Sequence, residues 1–203
     1  MNIYGFDDNG RKVKIGEYKQ VLPIGGTIFY TDSTADGVYK LYDANLSETS
    51  VLADAMYYEV ITAGTKDKYY VADTTTGWVD SKTWGYSNIT TGATTDAIGS
   101  GKTNTATILG IEDTSYSASN SIFTYLSGTQ NAGTGVGGCK DWFVGSKAEL
   151  DQLKSTSVMD WANKQVWSSV ESLANTAHYW DGSRWYSLGT KSENNSVVFL
   201  RAF

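Results

Sequence analysis

The run SVVFLRAF (196–203) is strongly β-forming and closes the chain. β-Branched and aromatic side chains fit a pleated, half-buried surface, and two strands alone are marginal in water. The C-terminus is therefore expected to be tied into a sheet built with earlier segments. Candidates for those segments are short and divided by turn residues. IYGF and RKVKIG flank DDNG, an Asn-Gly turn signal that predicts a hairpin within 1–22. A calcium loop at DDNG would need further carboxylates at regular offsets, but RKVK follows. Pro23 opens a predicted strand, IGGTIFY (24–30); DSTADG turns the chain into VYKLYDA (38–44), and 51–72 is again rich in β-branched and aromatic residues.

Residues 73–102 are rich in Gly, Thr and Ser and read as long ordered loops pinned by Trp78 and Trp84. GSGKT (99–103) resembles a phosphate loop only in part. That motif needs a glycine five residues before the one preceding Lys, and Asp96 stands there. The stretch reads better as a helix start capped by Thr103 or Asn104, with Ile108, Leu109 and Ile111 on an apolar face. A second helix starts at Ser146, with Glu149 completing a capping box and Leu150 and Leu153 as the apolar stripe. A short buried strand is expected at 141–144 and another segment at QVWSS (165–169). Two short helices, many short strands and much loop predict an α+β fold with a small antiparallel sheet.

The 203 residues suit one domain with a small appendage, 1–22 beside 23–203. Net charge is −6 and no run of Lys or Arg exists, which argues against a nucleic-acid partner. No apolar run approaches the ~20 residues of a membrane span, so no membrane insertion is expected, and the N-terminus lacks a signal-peptide core. Cys139 is the only cysteine and His178 the only histidine. A CxxC metal knuckle or internal disulfide is thereby excluded, and any Ser-His or Cys-His triad would depend on His178 alone. No metal, no cofactor and no catalysis are expected.

GGTIFY, IGSGKTNTATIL, GGCKDWFVGSKAELDQL, VWSS and the terminal VVFLRAF, in this order, resemble one family. It is the group of C-type-lectin-fold domains of the formylglycine-generating-enzyme type that includes the variable proteins of diversity-generating retroelements. The resemblance spans about 23–203. It departs from the family's pattern at VGSK (144–147), VWSSVES (166–172) and Phe199. The resemblance implies a non-catalytic display protein whose gene end is rewritten at adenines. Its hypervariable region would span about 165–203, on a virion or cell surface, with a protein or glycan on a target cell as partner. A fibre-tip role favours a homo-oligomer, since multivalency raises avidity. The family's oxidases need paired cysteines, which this chain lacks, and the Pro-containing motifs of calcium lectins are absent. A structural fibre, pilus or virion component is the alternative.

HYWDGSRWYS (178–187) has the make-up of an adaptable binding surface: rigid aromatics, Arg, and small polar residues. In strands, Tyr179 and Asp181 would share one face and His178 and Trp180 the other, while Arg184, Tyr186 and Leu188 would oppose Trp185. Adenine replacement in an Asn codon cannot give Trp, Lys or Glu. If the resemblance holds, Trp167, Glu171, Trp180, Trp185, Lys191 and Glu193 are scaffold. Val170, Ser172, Leu173, Thr176, His178, Tyr179, Asp181, Ser183, Arg184, Tyr186 and Leu188 are then the candidate ligand-binding positions, on a face at about 170–195.

Overall fold

The short β-prone runs become strands that are distributed over a hairpin and three sheets. The structure is a computed structural model that describes residues 2–6, 10–17, 21–111 and 119–203. Along the chain come β1 (Asn2–Phe6), β2 (Lys12–Glu17), β3 (Leu22–Pro23), β4 (Thr27–Thr31), β5 (Val38–Tyr42), β6 (Tyr57–Thr62), β7 (Tyr69–Ala72) and β8 (Val79–Lys82). Helices α1 (Ser100–Leu109) and α2 (Ile122–Tyr125) follow, then β9 (Phe143–Val144) and α3 (Lys147–Lys154). The last part is all strand: β10 (Val166–Leu173), β11 (Thr176–Trp180), β12 (Trp185–Thr190), β13 (Asn195–Val197) and β14 (Phe199–Ala202). The chain is mixed α+β, with strands dominating.

β1 and β2 pair as an antiparallel hairpin; most of the DDNG turn between them lies outside the described residues. The three sheets have the strand orders β3-β6-β5, β4-β7-β14-β9 and β12-β11-β10-β13-β8. The arrangement is larger than one small antiparallel sheet. It is also not purely antiparallel, because β10 runs parallel to β13 through Val166 and Ser196. SVVFLRAF does tie the C-terminus into a sheet, but as two strands serving two sheets. β13 ends at Val197, Val198 is fully buried, and β14 enters the four-stranded sheet between β7 and β9. Every residue from Asn195 to Phe203 is buried, as expected for strands covered on both faces.

The capping box of α3 forms as expected, with Ser146 Oγ accepting from the Glu149 amide at 3.3 Å and Glu149 Oε2 accepting from the Ser146 amide at 2.7 Å. The start of α1 differs from the expectation. The helix begins at Ser100, its N-cap Gly99 has φ +86°, and no side chain of its own caps it. The cap is borrowed from α3: Glu149 Oε1 accepts from the Gly99 amide at 2.9 Å. One buried carboxylate thus serves two helix N-termini, where partial positive charge favours an anion. Asn104 caps nothing; its amide donates to Thr95 O and Ser169 Oγ. A third helical turn, α2, was not expected; Ser121 Oγ caps it by accepting from the Thr124 amide. Within 73–102 the loops hold, except that Val79–Lys82 pairs with β13 as β8.

Two clusters make the core. One gathers around Trp84, Trp142, Trp167, Ile108 and Phe199, the other around Leu150, Leu153, Phe143, Val166 and Leu200. Trp84 is fully buried and donates to Ser168 O at 2.7 Å. Trp78 is only half-buried and packs edge-on against Trp161.

Burial pushes the Glu149 carboxyl up from its ordinary 4.5 to about 7, against the amides of Ser146, Gly99 and Gly101 that pull it down. A raised carboxyl binds its proton more tightly folded than unfolded, so stability falls as pH rises from about 4.5 to about 7. Thermal melts across that interval should show a decline that Glu149→Gln abolishes. An equal slope in the variant would remove Glu149 as its source.

Candidate ligand-binding face

The segment 165–190 folds as three consecutive antiparallel strands, β10, β11 and β12. Their register sorts the aromatic residues into two sets. Trp167 lies opposite Tyr179, which lies opposite Tyr186; one position along, Val166 lies opposite Trp180, which lies opposite Trp185. Because side chains alternate across a sheet, the two sets occupy opposite faces.

The Trp180–Trp185 set turns inward, toward α3. Its rings meet edge to face at 5.9 Å. Lys154 Nζ stands 3.4 Å from the centre of the Trp180 ring, and Trp185 Nε1 donates to both Asp151 carboxylate oxygens at 3.1 Å. Both tryptophans therefore anchor the hairpin to a helix, a scaffold role. His178 shares their side of β11 by alternation and is half-buried. Burial, and the charge of Lys147 after it, hold its imidazole below the usual range, with Asp96 opposing; a neutral ring at pH 7 follows.

The other set is layered from core to solvent. Trp167 is fully buried and donates to Lys82 O at 2.9 Å. Tyr179 sits edge-on over it at 5.5 Å, and Tyr186 stacks beside Tyr179 at 5.7 Å. Gly189 leaves the room this needs: a Cβ there would stand 2.4 Å from the Tyr179 ring. Outermost, the Arg184 guanidinium lies 4.6 Å from the centre of the Tyr186 ring and donates to its hydroxyl. Leu188 and Leu173 are 66% and 57% exposed, far beyond what packing needs, but register shifts between Tyr186 and Gly189 and between Glu171 and Leu173 keep both out of the Trp167–Tyr179–Tyr186 row.

Of the candidate positions, Leu173, Ser183, Arg184 and Leu188 are exposed, and Ser172, His178, Tyr179, Asp181 and Tyr186 are half-buried. Asp181 spends its carboxylate on the turn, where Oδ1 accepts from the Ser183 amide and hydroxyl and from the Arg184 amide. Those amides, Arg184 first, hold the carboxyl below its usual range. Val170 and Thr176 do not belong to the face. Both are buried, and Thr176 Oγ1 has no partner among the described residues. β10 lies between β11 and β13, and its residues from Val166 to Glu171 are all buried, so alternation does not expose Val170 there.

Beneath the face lies a buried ion pair. Lys191 Nζ donates to Glu171 Oε1 at 2.5 Å, to Ile89 O at 2.8 Å and to Ala174 O at 2.9 Å, which uses all three of its protons. Glu171 also accepts from the Thr91 and Gly92 amides. Burial pushes the Glu171 carboxyl up, but Lys191 and these amides more than reverse it. Burial draws the Lys191 ammonium down against the pull of Glu171. Glu193, grouped with the scaffold, is exposed.

Sequence reasoning missed a cleft of about 620 Å³ beside the hairpin turn, lined among others by Asp80, Asn163, Gln165, Asp181 and Asn194. Its only trace in the sequence is a set of polar residues spread over four separate segments. Among the described residues, no three His, Cys, Asp or Glu side chains converge to hold a metal, and no helix is long and apolar enough to cross a membrane.

Arg184→Ala and Leu188→Ala should change stability by no more than about 0.5 kcal/mol. Tyr179→Ala, though at a candidate ligand-binding position, should cost about 1–3 kcal/mol because Trp167 loses its cover. Trp167→Ala should cost about 3–5 kcal/mol. Removing one partner of the buried pair, by Lys191→Ala, should cost a similar ~3–5 kcal/mol. Urea denaturation of the four variants checks the order; an Arg184→Ala as damaging as Trp167→Ala would make the outer layer structural. No family model, no curated protein and no solved structure matches this chain.

Proposed function

We propose that the chain is a non-catalytic ligand-binding display protein with a C-type lectin-like domain over 23–203 and an N-terminal appendage over 1–22. Its binding face is the outer side of β10–β12, on a virion or cell surface, and its partner is a protein or glycan of a target cell. One observation carries the reading: exposed side chains of adaptable chemistry stand on a platform that is fixed from below. Leu173, Ser183, Arg184, Tyr186 and Leu188 form the outer layer. Trp167, Trp180, Trp185 and Lys191 hold the backbone under them through contacts that the outer residues do not share. Tyr and Arg are the residue types that most often dominate binding energy.

Diversification by a retroelement fits this division. The five outer residues can all arise from an Asn codon by adenine replacement, whereas the tryptophans and Lys191 cannot. Val170 and Thr176 are mutable by the same rule but buried, so change there should be selected against.

Two tests apply. The gene should be followed by a near-copy of its last segment that differs at adenines, beside a reverse transcriptase gene; finding neither removes the diversification claim. In a display library, adenine-type randomisation of the outer five positions should leave most members folded, while the same randomisation at Val170 and Thr176 should leave few. Equal losses in both libraries would mean that the outer layer is not free to vary.

A second reading, a structural fibre, pilus or virion subunit, draws on the exposed apolar side chains Val38, Leu46, Val51, Met56, Val60 and Ile61. Exposed apolar side chains are ordinary singly, but a contiguous group of them marks a contact surface. Sedimentation that shows a monomer at all concentrations would sink it.

A further inference from the structure

A second concavity, of about 610 Å³, opens where the three-stranded and four-stranded sheets meet, and shares no residue with the β10–β12 face. That volume lies in the range of small-molecule sites. Its walls are tyrosines. Tyr30 meets Tyr70 edge to face at 5.5 Å, and Tyr39 leans against Tyr58 at 6.3 Å. The wall is held in place from behind, because Tyr58 stacks on Phe203 at 3.8 Å and accepts from Arg201 at 3.0 Å.

Three polar groups in this pocket have hydrogen-bonding capacity to offer. Tyr70 lines the pocket, and its phenol brings one donor and one acceptor there. Asp32 uses Oδ1 to hold the Thr34 amide and hydroxyl, both at 2.8 Å, and leaves Oδ2 without a bond to a described residue. Asp67 meets Lys102 at 3.2 Å but keeps further lone pairs.

The charges decide what such a pocket takes. Asp32 and Asp67 are countered by Lys66 in the lining and by Lys102 on Asp67. The Arg201 guanidinium behind the Tyr58 and Phe203 rings is in turn paired with Asp141 at 2.5 Å. The charges around the pocket are thus matched, which leaves no excess charge to draw an organic ion. A neutral ring with one apolar face and a rim of hydroxyls suits such a lining. We propose that this pocket binds a neutral pyranose sugar, its C–H face on the tyrosine rings and its hydroxyls on Tyr70, Asp32 and Asp67. The site is independent of the proposed display face and of any metal ion.

Saturation-transfer NMR on the full chain tests this with the methyl glycosides of glucose, galactose, mannose and N-acetylglucosamine, and with choline as the cationic probe. At least one glycoside should bind without added metal. Tyr30→Ala should weaken it by about tenfold or more, the worth of one aromatic contact. Tyr70→Phe, which removes only the hydroxyl, should weaken it by about three- to tenfold while the melting temperature stays unchanged. Tyr186→Ala, on the other face, should leave it intact. Binding of choline in place of the sugars, binding of none of the glycosides, or sugar binding that survives both pocket variants would overturn the proposal. Sugar binding lost only in Tyr186→Ala would overturn it while leaving the display face standing.

Discussion

The Lys191–Glu171 ion pair is the contact around which the C-terminal half is arranged. Two charges taken fully out of water are tolerated only if every proton and lone pair is answered. Here the answers come from scattered places: the carbonyls of Ile89 and Ala174 and the amides of Thr91 and Gly92. The loop at 89–92 and the β10–β11 turn are therefore held to one point. The Lys191 backbone extends the tie, since its amide donates to Asn175 O and its carbonyl accepts from the Trp84 amide. A pair of this kind adds less to stability than hydrophobic packing would. What it supplies is position: it sets where β12 ends relative to β10, and so where the outer face of the hairpin stands.

Glu149 plays the corresponding part for the helices. Its carboxylate closes the capping box of α3 and the open N-terminus of α1 together. Gly101 leaves the space for that approach, because a Cβ there would stand 2.2 Å from Glu149 Oε2. Buried carboxylates thus fix both halves of the frame, one by pairing with a lysine and one by gathering backbone amides.

What was legible in the sequence follows from how local each cause is. The α3 capping box lies within four residues and was readable; the start of α1 was not, because its cap arrives from a residue fifty positions away. The two sets of aromatic residues in HYWDGSRWYS were readable from alternation as far as Tyr186; beyond it the register with β11 shifts, so the rule does not carry to Leu188. β10 defeated the same rule. Neighboured by strands on both sides and covered on both faces, it buries Val170 and its neighbours alike, and codon arithmetic carries no information about burial. VDSK (79–82) lacks any β-rich signature and becomes a strand only because β13 offers it an edge. The tyrosine pocket draws on segments from 30 to 99 and on Phe203, a convergence that no single window of sequence displays.

The layering from Trp167 through Tyr179 to Tyr186 explains how a face can vary without endangering the fold. β12 is an edge strand, so a change at Leu188 has only β11 as a bonded neighbour, and Arg184 lies in the turn before it. Edge strands are a hazard when flat and apolar, and this one is interrupted by Gly189 and exposes Ser187 beside Leu188. Between that edge and the core stands Tyr179, half-buried, lying close over Gly189 and edge-on to Trp167. It can lose outer neighbours without opening the core, because Trp167 is sealed beneath it and hydrogen-bonded to Lys82 O. Variation outside Tyr179 changes surface chemistry; variation inside it changes packing. The boundary between display and scaffold is thus a single ring, set by a glycine that no larger residue can replace.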